Sequence, residues 1–380
     1  MYDLVAYGGM IADGRTSSYA RALEARIAPG SVILDIGAGF GILSLIACRA
    51  GAAKVYAVEP NDVIELGREA ARDNGFSDRI DFIQAMTTAI ELPEKVDGIV
   101  ADLHGATPLF QKCIISILDA RDRFLKPHGW IIPSREILWA APVFSPRLYD
   151  DFAGSWNSQG QFDFTCVRAK TVHTVRATRF KADALIAPPQ AWAVLEYKTL
   201  SAPGVDGALS WTIEHDITAH GLGTWFDCET APGIGFSNSP AAGDRHIYRQ
   251  IFLPWPDAIE LRCGDRVEVR LRADFVETDY VWSWETRIAG HGASRPRAEF
   301  RQSTFFGAPL SRERLRKRAT GFIPHPNEDS RIDYTVLQLM QRHLTLKDIA
   351  RVLAAEFPAR FPNWTAALGR AADLAEKYSK

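Results

Sequence analysis

The segment from Val32 to Ser44, VILDIGAGFGILS, constrains the fold of this chain more than any other feature. An apolar run rich in β-branched residues breaks into closely spaced glycines, and an apolar helical pattern follows them. This order is typical of a strand, a tight turn and a helix that together cradle a ligand. A second apolar run, Val55 to Val58, ends at Glu59. Parallel pairing of the two strands would bring this carboxylate beside the turn, which indicates a cofactor that contains adenosine.

The region around these glycines alternates short apolar runs with helical patterns. Strands are predicted at 32–36, 54–58, 80–84 and 96–101, and helices near 41–51, 61–74 and 108–125. Such alternation predicts an α/β fold with a doubly wound parallel sheet, whose ligands bind at the carboxyl ends of the strands. A helical lead-in is predicted before residue 30, because Pro29 and Gly30 end its pattern.

After about residue 138 the pattern changes to short runs rich in β-branched and aromatic residues, with turns between them. The runs at 193–197, 210–215, 247–253, 266–271 and 280–286 predict an antiparallel barrel or sandwich. Helical periodicity returns near the C-terminus, where Thr345 gives a cap signal. We therefore predict an N-terminal helix and sheet domain at 1–138, an antiparallel domain at 139–305, a linker at 306–325 and a helical module at 326–380.

Composition gives no support to several classes of partner and site. The formal net charge of −2 provides no overall attraction for nucleic acid or an anionic membrane, so neither partner is predicted. The five cysteines are odd in number and include no CxxC pair, which argues against a disulfide framework and a metal site. No basic and apolar leader opens the sequence and no long apolar window follows, so a cytoplasmic protein is expected.

Acidic residues around the glycines narrow the choice of cofactor. Glycines in a strand-to-helix turn also serve close packing alone, so this triplet is weak evidence by itself. Asp35 and Glu59 would repel a pyrophosphate, whereas carboxylates accept hydrogen bonds from amino groups and ribose hydroxyls. A cofactor that presents amino and hydroxyl groups to the turn is therefore the first choice. A nicotinamide dinucleotide, which would make the protein an oxidoreductase, is the second.

Several segments together resemble the protein arginine methyltransferase family. They are DIGAGFGILSLIACRAGAAKVYAVEP from Asp35 onward, ELP at 91–93, ARDRFLKPHGWIIPSR at 120–135 and GFSNSP at 235–240. The resemblance extends over most of the chain before residue 300. It implies a Rossmann-like domain that binds S-adenosylmethionine, a β-barrel that follows it, and methyl-transfer activity.

By the same resemblance, cofactor contacts can be assigned position by position. The matching positions are Gly37, Gly39 and Gly41 for the methionine portion, Glu59 for the ribose hydroxyls, Met86 and Thr87 for the adenine, and Arg15 for the cofactor carboxylate. The register of Arg15 depends on a local deletion in this chain.

The resemblance weakens in the segment from Ala101 to Gln111, here called the acceptor loop. In the family this segment carries two glutamates that hold the substrate guanidinium. Asp102 stands at the first of these positions and Gln111 at the second, so one acid is a methylene shorter and the other is a neutral amide. This change makes ordinary arginine methylation doubtful and predicts an acceptor that is a nitrogen or oxygen nucleophile on a peptide, protein or small molecule.

Two histidines are further catalytic candidates. His104 lies inside the acceptor loop, either as a general base near the acceptor or as a residue that is hydrogen-bonded at the loop edge. His246 matches the histidine of the family's THW loop, which pairs with an acid of the N-terminal helix. Asp13 falls near the position of that acid, and Ile247 replaces the tryptophan of the loop.

The resemblance also concerns partners. Residues from Asp150 to about Pro188 match the family's dimerisation arm, so a homodimer is expected. Residues 345–357, TLKDIARVLAAEF, weakly resemble small winged-helix domains of PqqD type that present peptides to modifying enzymes, although a helical cap is equally compatible. The neutral Gln111 and this extra module leave a catalytically silent cofactor-binding scaffold as an alternative function.

Overall fold

The parallel sheet forms where the sequence predicts it. In the computed structural model, residues 8–9, 11, 13–156, 162–243, 247–293 and 295–379 are described. The strands of this sheet are β1 (Val32–Ile36), β2 (Lys54–Val58), β3 (Ile80–Ile83), β4 (Val96–Ala101) and β5 (Leu125–Ile132). They lie in the order β3-β2-β1-β4-β5 with parallel pairing, which confirms the predicted fold class.

Helices accompany this sheet at the predicted places. They are α1 (Gly14–Arg26), α2 (Ile42–Arg49), α3 (Ile64–Asp73) and α4 (Cys113–Phe124). All five residues of β1 are buried, as expected for a central strand of a sheet that is covered on both faces. Because β1 has β2 on one side and β4 on the other, its carboxyl end is the point where the connections change direction and a ligand crevice opens.

Antiparallel strands follow the parallel sheet. They are β6 (Arg135–Val143), β7 (Arg176–Thr178), β8 (Gln190–Glu196), β9 (Val205–Thr212), β10 (Ile217–Ala231), β11 (Ile234–Ser237), β12 (Gln250–Leu261), β13 (Arg266–Val276), β14 (Asp279–Ala289) and β15 (Ala298–Ser303). Short helices α5 (Pro146–Phe152), α6 (Thr165–Thr171) and α7 (Thr304–Gly307) occur among them. All of these residues belong to one compact unit, Met1–Pro309.

The strand pairing does not confirm a closed barrel. Among the described residues, one sheet has the order β7-β12-β10-β6-β8 with β11 beside β10, and a second has the order β15-β14-β13-β9. In the described parts of the chain, no strand pairing joins the two sheets or closes either one. The alternating pattern of the strands gives the same signal for a barrel and for two stacked sheets, since only pairing between distant strands distinguishes them.

Residues 310–380 form a second compact unit with its own apolar core. Its helices are α8 (Arg312–Lys317), α9 (Glu328–Gln341), α10 (Leu346–Glu356) and α11 (Trp364–Tyr378). Thr345 caps α10 as predicted, because its side chain accepts a hydrogen bond from the Asp348 amide. A winged helix requires a β-hairpin, and residues 310–379 contain no strand, so that resemblance fails at the wing. None of the helices in the described parts of the chain is both long and apolar enough to cross a membrane.

Candidate functional site

The glycines after β1, at positions 37 to 41, form a turn that non-glycine residues rarely adopt. Gly37, Gly39 and Gly41 have φ angles of +72°, +55° and +85°. The amides of Gly37 and Ala38 both donate to the Val58 carbonyl, at 2.8 and 3.1 Å, so the turn folds over the end of β2. This glycine turn therefore lies against the residue that follows β2, which is Glu59.

Glu59 is buried to 6% exposure beneath this turn and lines the cavity beside it. Its Oε2 accepts a hydrogen bond from the Gly39 amide at 3.1 Å, and its Oε1 accepts one from the Asn61 amide at 3.0 Å. Oε1 also accepts a 2.5 Å hydrogen bond from the Asn61 side-chain amide, so both of its lone pairs are used, whereas Oε2 has a second lone pair. Glu59 is thus fixed in one orientation, and Oε2 retains acceptor capacity.

Asp35 lies beneath the glycine turn and is not among the cavity-lining residues. Its side chain is fully buried and accepts a 2.6 Å hydrogen bond from the Ser44 hydroxyl of α2, while Oδ1 has no partner among the described residues. Burial raises the pKa of Asp35 to about 7, even though the Ser44 hydrogen bond opposes the shift. The described geometry gives Asp35 a bracing contact between β1 and α2.

Gly37→Ala is expected to destabilise the protein more than Gly30→Ala, although both glycines have positive φ. A Cβ at Gly30 meets nothing within 4 Å, so only the backbone cost of about 1–2 kcal/mol applies. A Cβ at Gly37 would lie 2.3 Å from Leu103 Cδ2, and such overpacking typically costs about 1–3 kcal/mol more. Urea unfolding of both variants measures the difference. Equal losses would mean that Leu103 moves away freely.

One cavity of about 320 Å³ joins the predicted cofactor positions to the acceptor loop. The glycine turn, Glu59, Met86 and Thr87 line one part of it, and the acceptor loop lines another. Thr87 is 2% exposed, whereas Met86 is 38% exposed at the cavity mouth. The structure therefore brings residues from widely separated parts of the sequence to one place.

The lining chemistry fits S-adenosylmethionine. Glu59 offers acceptors suited to ribose hydroxyls, and the glycine turn allows a close approach to the backbone. Arg15 supplies a cation whose buried Nε has no hydrogen-bond partner in the described part of the chain. An unpaired guanidinium N–H next to a cavity suits a carboxylate ligand, which the methionine portion carries.

Asp102 is held by three neighbours at the end of β4. Its Oδ2 lies 2.8 Å from Arg15 Nη1, and its Oδ1 accepts a 2.8 Å hydrogen bond from the Tyr248 hydroxyl. His104 Nδ1 lies 3.3 Å from the same Oδ1. Burial opposes ionisation, but the His104 hydrogen bond and the Arg15 charge keep the pKa of Asp102 below its usual value. Asp102 is therefore an oriented carboxylate at neutral pH.

His104 occupies the interior side of the acceptor loop. Its side chain is 2% exposed, its ring stacks on Phe226 at 5.1 Å, and its Nε2 contacts the carboxylate of Glu136. Burial lowers the pKa of His104, but the charge of Glu136 and hydrogen bonds to both carboxylates raise it to about 9. An imidazole that is already protonated cannot accept another proton. The geometry thus favours a holding role over that of a general base.

Gln111 lies at the other end of the acceptor loop, exposed at the cavity mouth. Its φ is +45°, and its amide donates a 2.9 Å hydrogen bond to Asp279 Oδ1. The backbone of this position is therefore held by the antiparallel region, while the side chain presents a neutral amide.

His246 lies outside the described residues, so its pairing with Asp13 is not described. Asp13 caps α1, since its Oδ1 accepts a 3.0 Å hydrogen bond from the Arg15 amide. Its Oδ2 accepts another, at 2.8 Å, from the amide of Ile247. Asp13 thus connects the start of α1, and with it Arg15, to the segment that precedes β12.

Three residues of this site were not predicted, because nothing in the sequence around them indicates a site. Tyr248 holds Asp102, Glu136 contacts His104, and the Tyr197 hydroxyl donates to Glu136. Each is an ordinary strand or strand-edge residue in the sequence. Only pairing between distant segments brings them to the acceptor loop.

Comparisons with known proteins agree with this geometry. Residues 14–138 match the model of a ribosomal protein L11 methyltransferase family, PrmA. Protein arginine N-methyltransferase 6 of Danio rerio is 31% identical over 285 residues, which cover 70% of this chain and 80% of that protein. The structure of a Trypanosoma brucei PRMT1 enzyme-prozyme heterotetrameric complex with AdoHcy aligns with a TM-score of 0.70 at 24% identity, over 78% of this chain and 96% of that chain. An Arabidopsis thaliana protein arginine methyltransferase 10 structure aligns at 0.68 and 22% identity, over 79% and 97%.

Proposed function

Because this chain belongs to the protein arginine N-methyltransferase family and is an S-adenosylmethionine-dependent methyltransferase, we propose that it methylates a nitrogen of a protein or peptide through an acceptor site with one carboxylate. The observation that supports this most directly is the shared cavity. Glu59 and Asp102 both line it, so a cofactor and an acceptor can meet there. The family assignment also leaves the dinucleotide-dependent oxidoreductase without support.

On the cofactor side, residues of this chain bind and orient. Glu59 would hold the ribose hydroxyls, Met86 and Thr87 would flank the adenine, and Arg15 would engage the carboxylate. The bound cofactor supplies a methyl group activated by a sulfonium. Methyl transfer then depends mainly on alignment of the acceptor nitrogen with this group, which is a matter of positioning.

On the acceptor side, Asp102 supplies a charged hydrogen-bond acceptor for the N–H groups of the substrate. The neutral amide of Gln111 stands where a second carboxylate would polarise a guanidinium. Hydrogen bonds to charged groups contribute about 1.5–3 kcal/mol, so the loss of one in the transition state slows transfer by roughly ten- to a hundredfold. The site therefore suits an acceptor that needs less polarisation than an ordinary arginine.

Gln111→Glu is expected to increase methylation of an arginine peptide by roughly ten- to a hundredfold, because it adds a carboxylate at the cavity mouth. Initial rates with labelled cofactor measure the change. Gln111→Met is the matched control, since it has similar size and no charge and should show no gain. Equal rates for the wild type and Gln111→Glu would show that the pocket rejects guanidinium for other reasons.

The acceptor itself can be identified with labelled S-adenosylmethionine. Incubation of the protein with cell extract, followed by mass spectrometry, is expected to reveal methylated protein or peptide nitrogen. Label found only on small molecules would contradict the proposed acceptor class. Label on oxygen would contradict the proposed atom.

One observation favours a second candidate, a silent cofactor-binding scaffold. Both oxygens of Asp102 already have partners within the protein, and Gln111 is neutral. A scaffold of this kind would bind S-adenosylmethionine but would transfer no methyl group to any mixture of candidate acceptors. A single methylated product eliminates it.

We also propose a homodimer. The segment from Asp150 to about Pro188, which resembles the family's dimerisation arm, contains the end of α5 and all of α6. Light scattering with size-exclusion chromatography tests this directly, and a monomer at micromolar concentration would overturn it.

A further inference from the structure

We propose that His104 and Glu136 form a buried ion pair that positions Asp102, so that a second carboxylate supports the acceptor site from behind the acceptor loop. This inference rests on the proposed role of Asp102 as the acceptor ligand. His104 is then a positioning residue, because it acts through Asp102 and does not touch the substrate. Glu136 in turn determines the protonation of His104.

The contacts form a continuous chain from the antiparallel sheet to the cavity. The Tyr197 hydroxyl donates to Glu136, the Glu136 carboxylate contacts His104 Nε2, and His104 Nδ1 faces Asp102 Oδ1. Glu136 lies on β6 with no exposed surface, opposite Leu195 of β8 and Cys228 of β10. These contacts therefore anchor the acceptor loop to β6, an interior strand of the six-stranded sheet.

Charge balance indicates which protonation state this cluster has. Its buried anions are Asp102 and Glu136, and Arg15 pairs with Asp102. Within the described parts of the chain His104 is the basic side chain in contact with Glu136, and an unpaired buried charge is strongly unfavourable. A protonated His104 gives two cations for two anions. The cluster is thus electrically neutral as an imidazolium pair.

The surroundings of His104 agree with this state. The groups that face the ring are Asp102 of its own loop, Glu136 of β6, Phe226 and Cys228 of β10, Phe236 of β11, and Tyr248 before β12. Burial raises the pKa of Cys228 and of Tyr248 well above their usual values, which leaves the two carboxyl groups as the candidates for negative charge beside the ring at neutral pH. Both nitrogens of the ring therefore face acceptors.

The same side chains could be read as metal ligands, because donor atoms of His104, Glu136 and Cys228 lie within 4.8 Å of one another. A divalent cation there would displace the imidazolium proton and add charge to a cluster that is already balanced. The charge balance of the cluster therefore favours a proton on His104 over a divalent cation. Cys228 separates the two alternatives, since a metal would need its thiolate, whereas the link from Glu136 through His104 to Asp102 does not pass through Cys228, although its thiol also hydrogen-bonds to Glu136.

Removal of the pair is expected to affect transfer and not cofactor binding. His104 helps to fix Oδ1 of Asp102, whose side chain is one methylene shorter than glutamate and has less reach toward an acceptor. None of the predicted cofactor contacts to ribose or adenine involves His104. Glu136→Gln should therefore lower kcat with an identified acceptor at least tenfold, with the Kd for S-adenosylmethionine within threefold of wild type.

The pH dependence has a defined sign. In the wild type His104 keeps its proton at neutral pH and loses it as pH rises through about 9, so transfer should decline above that value. In Glu136→Gln the cation loses its main partner, and this decline should move toward neutral pH. Cys228→Ala is the control and should retain the wild-type profile.

Nitrogen-15 chemical shifts of the histidine rings test the pair without any acceptor. We expect both ring nitrogens of His104 to be protonated at pH 7.5 in the wild type, and the ring to be mainly neutral at that pH in Glu136→Gln. A neutral His104 in the wild type, or stoichiometric metal in the purified protein, would overturn the proposal. If the shifts confirm the pair but no acceptor is ever methylated, the proposed function fails while the pair stands.

Discussion

Glu59→Ala is expected to weaken the binding of S-adenosylmethionine by about a hundredfold or more. Two ribose hydroxyls donating to a carboxylate form charge-assisted hydrogen bonds, each worth about 1.5–3 kcal/mol. Loss of both removes about 3 kcal/mol at the least, and every 1.4 kcal/mol is about a factor of ten in Kd. Isothermal titration calorimetry measures this change directly.

Controls must separate this loss from a change in the turn itself. Glu59 also accepts hydrogen bonds from the backbone amides of Gly39 and Asn61, so its removal disturbs the glycine turn. Glu59→Gln keeps the shape and should give an intermediate affinity. Glu65→Ala changes an exposed acid on α3 and should bind normally. Unchanged affinity in a folded Glu59→Ala protein would remove Glu59 from the cofactor site.

Asp102→Asn is expected to abolish most methyl transfer and to destabilise the fold. If Asp102 has its proposed role, transfer loses the charged partner of the acceptor, which costs roughly ten- to a hundredfold or more in rate. Stability falls because Arg15, whose side chain is 5% exposed, keeps its charge and loses its anion. Removal of one partner of a buried ion pair typically costs about 3–5 kcal/mol.

Two measurements separate these effects. Urea unfolding gives the change in stability, and initial rates, measured under conditions in which each variant is folded, give the change in transfer. Asp122→Asn is the matched control, because Asp122 pairs with Arg121 at the surface and is 65% exposed. Exposed pairs contribute about 0–1 kcal/mol, so this variant should resemble the wild type. An Asp102→Asn protein with normal transfer would contradict the proposed acceptor site, and normal stability would contradict a buried ion pair with Arg15.

The sequence was most informative where structure depends on near neighbours. The strands of the parallel sheet and the glycine turn were predicted close to their observed bounds, because alternation, helical period and positive-φ glycines are local properties. Thr345 was likewise recognisable as a cap from the residues that follow it. Each of these signals lies within a few residues of the element it determines.

Predictions were less complete where distant segments had to pair. The antiparallel region was predicted as a barrel or a sandwich, and its strands form two separate sheets in the described residues. The acceptor loop lines the cavity, but the sequence did not indicate the partners of Asp102 and His104. Tyr248 and Glu136 lie 146 and 32 positions away from the residues they contact.

The sequence by itself indicated the kind of cofactor and predicted its site, since Gly37, Gly39, Gly41 and Glu59 predict a strand, a turn and a carboxylate within one βαβ unit. Only the tertiary structure showed which charged groups surround the proposed acceptor residues. From the sequence, His104 was a candidate base or a hydrogen-bonded residue of the loop. In the fold its ring contacts Glu136 of β6, and this carboxylate raises the pKa of His104 and favours the imidazolium. A side chain's type is written in the sequence, but its protonation depends on the charges and solvent that folding places around it.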